Sequence, residues 1–97
     1  MATKVKVSIS STGISVDKDP ITINNNTSVD WECDAGTQFN IVFPSGGGRI
    51  KSSGMGGSGA YVVSSDNFSN TTGNKKTVKY DVKSGSLHLD PDVEIQP

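Results

Sequence analysis

Apolar residues return at every second position along most of the chain, and this period of two limits the possible folds more than any other feature. It runs through Val5, Val7 and Ile9, through Ile14 and Val16, through Ile21 and Ile23, and through Val29, Trp31 and Cys33. It resumes in Val78, Tyr80 and Val82, and again in Leu87, Leu89, Val93 and Ile95. Neighbouring side chains of a strand point to opposite faces, so the pattern makes one face apolar and the other wet. Turn formers separate the runs: Ser11-Thr12-Gly13, Asp19-Pro20, Asn24-Asn25-Asn26, Asp34-Ala35-Gly36, Gly73-Asn74 and Ser84-Gly85. No segment of ten residues carries the apolar stripe of an amphipathic helix. The predicted strands are 3–10, 13–17, 20–24, 27–34, 38–43, 60–64, 75–83 and 86–95. Seven or eight short strands with one apolar face must fold over to bury it, which predicts an all-β sandwich or barrel.

The length of 97 residues suits a single domain, 1–97, and the hydrophobic content of 32% predicts a thin core. Nine basic and ten acidic residues leave a net charge of −1, and the longest basic run is Lys75-Lys76, which argues against a nucleic-acid partner. A lone cysteine, Cys33, excludes an internal disulfide and the paired spacings of zinc ribbons and redox motifs. Its place in register with Val29 and Trp31 predicts a small buried hydrophobe, and Trp31 is predicted to be the core anchor between the sheets. Lys4 and Lys6 interrupt the N-terminal valines, unlike a signal peptide, and no apolar run nears the ~20 residues of a membrane-spanning helix. The expectation is a soluble protein with no membrane span, cytoplasmic if the chain is complete.

Residues 44–59 hold seven of the 11 glycines and read as a mobile, Gly/Ser-rich surface loop. Within it, Gly54 to Gly59 matches G-x-G-x-x-G, but Ala60-Tyr61-Val62-Val63 follows as a strand where a dinucleotide site needs a helix. The Asn-x-Ser/Thr triplets at Asn25, Asn26, Asn67 and Asn70 read as polar turns.

Residues 20–34, with Val29-Asp30-Trp31 at their centre, lead into Gln38-Phe39-Asn40-Ile41-Val42-Phe43; Thr77 to Lys83 and Leu89 to Ile95 follow downstream. Together these segments resemble the cupredoxins, in the Val-x-Trp strand, the His-Asn-Ile-Val-Phe-like strand, the Tyr-x-Val strand and the closing Asp-Pro strand. The resemblance covers about half the chain and implies a Greek-key β-sandwich of seven to eight strands. A blue-copper site takes a thiolate, two imidazoles and a weak axial Met. By the resemblance these positions fall at Phe39, near Ser84, at His88 and near Val93, so at most the imidazole of His88 survives. The implication is a cupredoxin-like domain without copper, and no cofactor is expected.

Three classes of function remain to be weighed. His88, Asp90, Asp92 and Glu94 alternate along the last strand opposite Leu89, Val93 and Ile95, with Pro91 as a point where the alternation could break. Such a face could hold a divalent cation, His88, Asp90 and Asp92 being the candidate ligands, or serve electron transfer; a solvated acidic face is the competing reading. A hydrolase built on His88 lacks a Gly-x-Ser-x-Gly elbow and a second base of the usual kind, so no catalytic residue is assigned. The third class, a non-catalytic binding or interaction module, places contacts to a protein or small-molecule partner on the long glycine-rich segment. Its distinctive side chains are Arg49, Ile50, Lys51, Met55 and Tyr61.

Overall fold

The computed structural model describes residues 3–97, and the period-two runs appear there as strands. In chain order these are β1 (Thr3–Ser10), β2 (Gly13–Val16), β3 (Ile21–Ile23), β4 (Val29–Cys33), β5 (Asn40–Val42) and β6 (Ile50–Met55). β7 (Tyr61–Ser65), β8 (Lys76–Lys79), β9 (Asp81–Ser84), β10 (Leu87–Leu89) and β11 (Asp92–Ile95) complete the chain. No helix occurs among the described residues.

One sheet has five strands in the order β2-β1-β4-β7-β6, with β1 and β4 parallel. Two three-stranded sheets, β10-β9-β5 and β3-β11-β8, lie end to end along a single hairpin. Their register is unbroken across the join: Leu89 faces Val82 and Asp92 faces Lys79 with the same offset. Pro91 supplies no N–H, which interrupts the ladder there, while its carbonyl still accepts from the Tyr80 amide at 3.0 Å. The two strands predicted over 75–83 and 86–95 are therefore each split in two. The alternation nonetheless continues through Pro91, which takes a buried position between half-buried Leu89 and buried Val93. The hairpin turns on Gly85-Ser86, with Gly85 at φ 58°, the geometry a two-residue loop asks of its first position. The result is all-β and compatible with a sandwich.

The core lies between these sheets. Trp31 on β4, Tyr80 between β8 and β9, and Phe43 after β5 form an aromatic cluster, with Trp31 5.1 Å from Tyr80 and 6.3 Å from Phe43 between ring centroids. Phe68 extends it edge-on against Phe43 at 5.7 Å. Trp31 and Tyr80 are fully buried, and Cys33 is 2% exposed, as a small core hydrophobe.

The segment 44–59 departs from the mobile loop expected of it. Gly46 donates to the Phe43 carbonyl at 3.0 Å, and the next two glycines press onto the core. A Cβ on Gly47 would meet Val78 at 3.1 Å; one on Gly48 would stand 2.7 Å from the Phe43 ring and 2.8 Å from Phe68. Ile50 to Met55 then form β6, antiparallel to β7, with a bulge between Ile50 and Ser52. Composition hid this strand because an edge strand needs only one neighbour and tolerates glycine and serine.

Asparagines tie down the loops at the same end as residues 44–49. The Asn26 amide donates to the Phe68 carbonyl at 2.9 Å. Buried Asn70 donates to the carbonyls of Asn74 (2.7 Å) and Ile95 (2.8 Å) and accepts from the Thr72 amide (3.0 Å) and hydroxyl (2.7 Å). Its amide saturates its hydrogen bonds inside the protein, as a buried side chain of this type must.

Candidate functional site

β6 is an outer strand of the five-stranded sheet, with β7 as its one ladder partner. The turn that follows sets the phase of that ladder. The Gly56 amide donates to the Ala60 carbonyl at 2.7 Å, and the Gly59 amide donates to the Gly56 carbonyl at 3.1 Å. With Gly59 at φ 89°, this is a three-residue hairpin loop closed by a left-handed glycine. Hydrogen-bonded pairs alternate in an antiparallel ladder, so Gly54 and Ser52 direct their backbone groups at Val62 and Ser64. Ser53 and Met55 direct theirs away from the sheet, where a further strand would lie. Their side chains share a face with Val63 and Tyr61, the core side. Met55 is 59% exposed, the most exposed of the large apolar side chains among the described residues.

The five residues proposed for contact separate on this frame. Arg49 and Lys51 are exposed and make no ion pair among the described residues. Lys51 sits at the bulge, a placement that limits pairing of this edge with other strands to the stretch beyond it. Ile50 is half-buried and packs on the core. Tyr61 is a correction: it is 9% exposed, edge-on to Phe39 at 5.4 Å, and belongs to the core. Its strand register with Val63, both inward, was the signal for this. The backbone of Ser53 carries the edge and was missed, because no side chain advertises it.

The four positions implied for copper do not converge. Phe39 is 2% exposed and offers no lone pair. The Ser84 hydroxyl donates to the Gln38 carbonyl at 2.8 Å. His88 pairs with Asp81, Nε2 to Oδ1 3.2 Å, on the outer face of the ribbon. Val93 is fully buried opposite Val78, six residues along the ribbon from Ser84, or roughly 20 Å at strand rise. The residues do not fit a blue-copper centre, and the two-residue turn at Gly85-Ser86 leaves no ligand loop.

The acidic residues of the last strand share one face and meet lysines there. Lys79 lies 3.2 Å from Asp92 Oδ1 and 4.0 Å from Asp90 Oδ2, and Lys75 lies 3.5 Å from Glu94. The close Asp92 carboxylate, first among its neighbours, holds the Lys79 pKa above the ordinary lysine value. On the other sheet, Lys6 bonds Asp34 at 3.0 Å and is raised in the same way. Among the described residues no three His, Cys, Asp or Glu side chains form a cluster that could hold a metal ion. Among the described residues no helix is long and apolar enough to cross a membrane.

No protein-family model and no curated protein matches this sequence. Three solved chains match in structure. One is a cysteine protease inhibitor from Entamoeba histolytica, with a TM-score of 0.46 and 10% identity, covering 98% of this chain and 95% of that one. At that level the likeness carries no argument about fold or function.

Proposed function

We propose that this protein is a non-catalytic binding module on a cupredoxin-like Greek-key sandwich without copper donors, and that it takes an extended, acidic segment of a partner protein along β6. The observation that carries this reading is the phase of the β6 ladder, which leaves the amides and carbonyls of Ser53 and Met55 facing outward beside an exposed methionine. Main-chain groups two residues apart match the repeat of an added strand, and exposed apolar area next to them supplies affinity. Arg49 and Lys51, the basic residues of this segment, favour acidic side chains in the added strand. The cupredoxin-like scaffold is supported by the placement of the resembling segments. Val29 to Trp31 lie on β4, Asn40 to Val42 on β5, and Tyr80 and Pro91 hold the long hairpin together. The non-catalytic reading is supported by the sole histidine's having no hydroxyl or thiol bonded to it among the described residues: its partner is Asp81, and the Ser84 hydroxyl donates to the Gln38 carbonyl.

The test is selection of peptides from a random-sequence display library against the folded protein, followed by amide chemical shifts. The reading expects selected peptides to be acidic, to shift and protect Ser53 and Met55, and to lose binding in Ser53→Pro, which removes an outward N–H and leaves the β7 ladder whole. Peptides that shift other surfaces while leaving Ser53 and Met55 unmoved would overturn it.

A further inference from the structure

At the end of the molecule where residues 44–49 close over the core, Lys76 departs from the pattern of its strand. It lies on β8 two residues before inward-facing Val78, so its side chain starts from the core-facing register, yet it is a half-buried lysine. It makes no ion pair among the described residues. Its surroundings are two adjoining depressions of about 330 and 480 Å³ that share Gly47 and Lys76. Gly47, Gly48 and Arg49 line the smaller one on one side, Asn67 and Ser69 on the other. Among the described residues the amides of Gly47 and Gly48 donate to no protein acceptor. Arg49 adds a guanidinium with no carboxylate partner. The carboxylate lining the smaller depression is Asp66, whose amide donates to the Arg49 carbonyl at 2.9 Å; Asp92 lines the larger one, 3.2 Å from Lys79.

We infer that this depression binds a tetrahedral oxyanion, a phosphoryl group in particular. A half-buried lysine without an ion-pair partner leaves its charge free to attract an anion. A glycine turn with free amides, here with Gly46 and Gly47 at φ 75° and 89°, supplies donors at close range because no side chain shields them. Arg49 supplies a planar fork for two of the oxygens, Lys76 a point charge, and Asn67 and Ser69 neutral donors. The close packing of Gly47 on Val78 and Gly48 on Phe43 fixes the turn before any ligand arrives, so binding does not have to order it. The site shares Arg49 with the β6 edge, but it rests on Lys76 and the Gly47-Gly48 turn and does not depend on the reading of that edge.

The test uses the full chain, isotope-labelled, at low ionic strength with chloride matched throughout. Inorganic phosphate is expected to shift the Gly47 and Gly48 amides saturably while Ser53 and Met55 stay unmoved. Lys76→Gln should weaken the response roughly tenfold, as loss of one charge-assisted contact would, and Lys76→Arg should keep it. A blocked phosphoserine peptide that binds more tightly than inorganic phosphate identifies a phosphorylated protein as the source of the group; equal or weaker binding identifies the free ion. The inference is overturned if Gly47 and Gly48 show no saturable shift, or if Lys76→Gln responds as the unsubstituted protein does.

Discussion

The two halves of the glycine-rich segment have nearly the same composition and opposite physical roles. In residues 44–49 glycine is demanded by close approach: Gly48 lies so near the Phe43 and Phe68 rings that no Cβ fits, and Gly47 lies against Val78. In residues 56–59 the constraint is on the turn, and Gly57 has nothing within 4 Å of a Cβ placed on it. Glycine content alone therefore says nothing about mobility. What separates the halves is whether the backbone lies on the core or over solvent, and between them the same segment yields an edge strand.

The sharpest way to break this comparison is to ionise the cluster that residues 44–49 help close. Burial raises the Tyr80 hydroxyl to about 12, and Trp31 partly offsets that as a neighbouring donor. A folded pKa above the unfolded value near 10 means the associated stability is whole below pH 10 and is lost as pH rises through 12. The loss should reach about 2 kcal/mol by pH 12, read as the shift of the denaturant midpoint between pH 9 and 12. Lys79 and Lys6, both raised, act in the same direction, so Tyr80→Phe should flatten the fall without abolishing it. Identical slopes for the two proteins would show that the cluster is wet.

Gly48→Ala should cost about 1–3 kcal/mol in a denaturant titration, because the two aromatic rings must move to admit a methyl group. A cost near zero would mean that residues 44–49 do not close over the core. Gly57→Ala is the counterpart, with the smallest expected effect: within about 0.5 kcal/mol of the original, or a slight gain from a stiffer unfolded chain. If the two substitutions cost the same, the distinction between the halves fails.

The strands with regular alternation were legible, since Val5 to Ile9, Val29 to Cys33 and Val78 to Val82 each announce an inward face. Trp31 and Cys33 were legible for the same reason: a side chain in register with buried neighbours is buried with them. β6 was not. Lys51-Ser52-Ser53-Gly54 carries no alternation, because no second layer covers that edge closely enough to require one. The candidate site was half legible: Arg49, Lys51 and Met55 stood out as side chains, whereas the open amides of Ser53 and Met55 follow from the hydrogen-bond phase set at Gly56 and Ala60. Tyr61 misled because it borders the glycines, although its own strand register turns it inward. Lys76 stands out in the sequence as half of a basic pair, although the alternation of Val78, Tyr80 and Val82 already puts it in the inward register of a strand over 75–83.

Amide hydrogen exchange across residues 44–59 tests the central claim most directly, that this segment is a packed closure followed by an edge strand. The account predicts slowed exchange at Gly46, Ser52, Gly54 and Gly56, whose amides face acceptors, and fast exchange at Ser53 and Met55 between them. Uniformly fast exchange from Ser45 to Gly59 would contradict it and return the segment to a mobile loop.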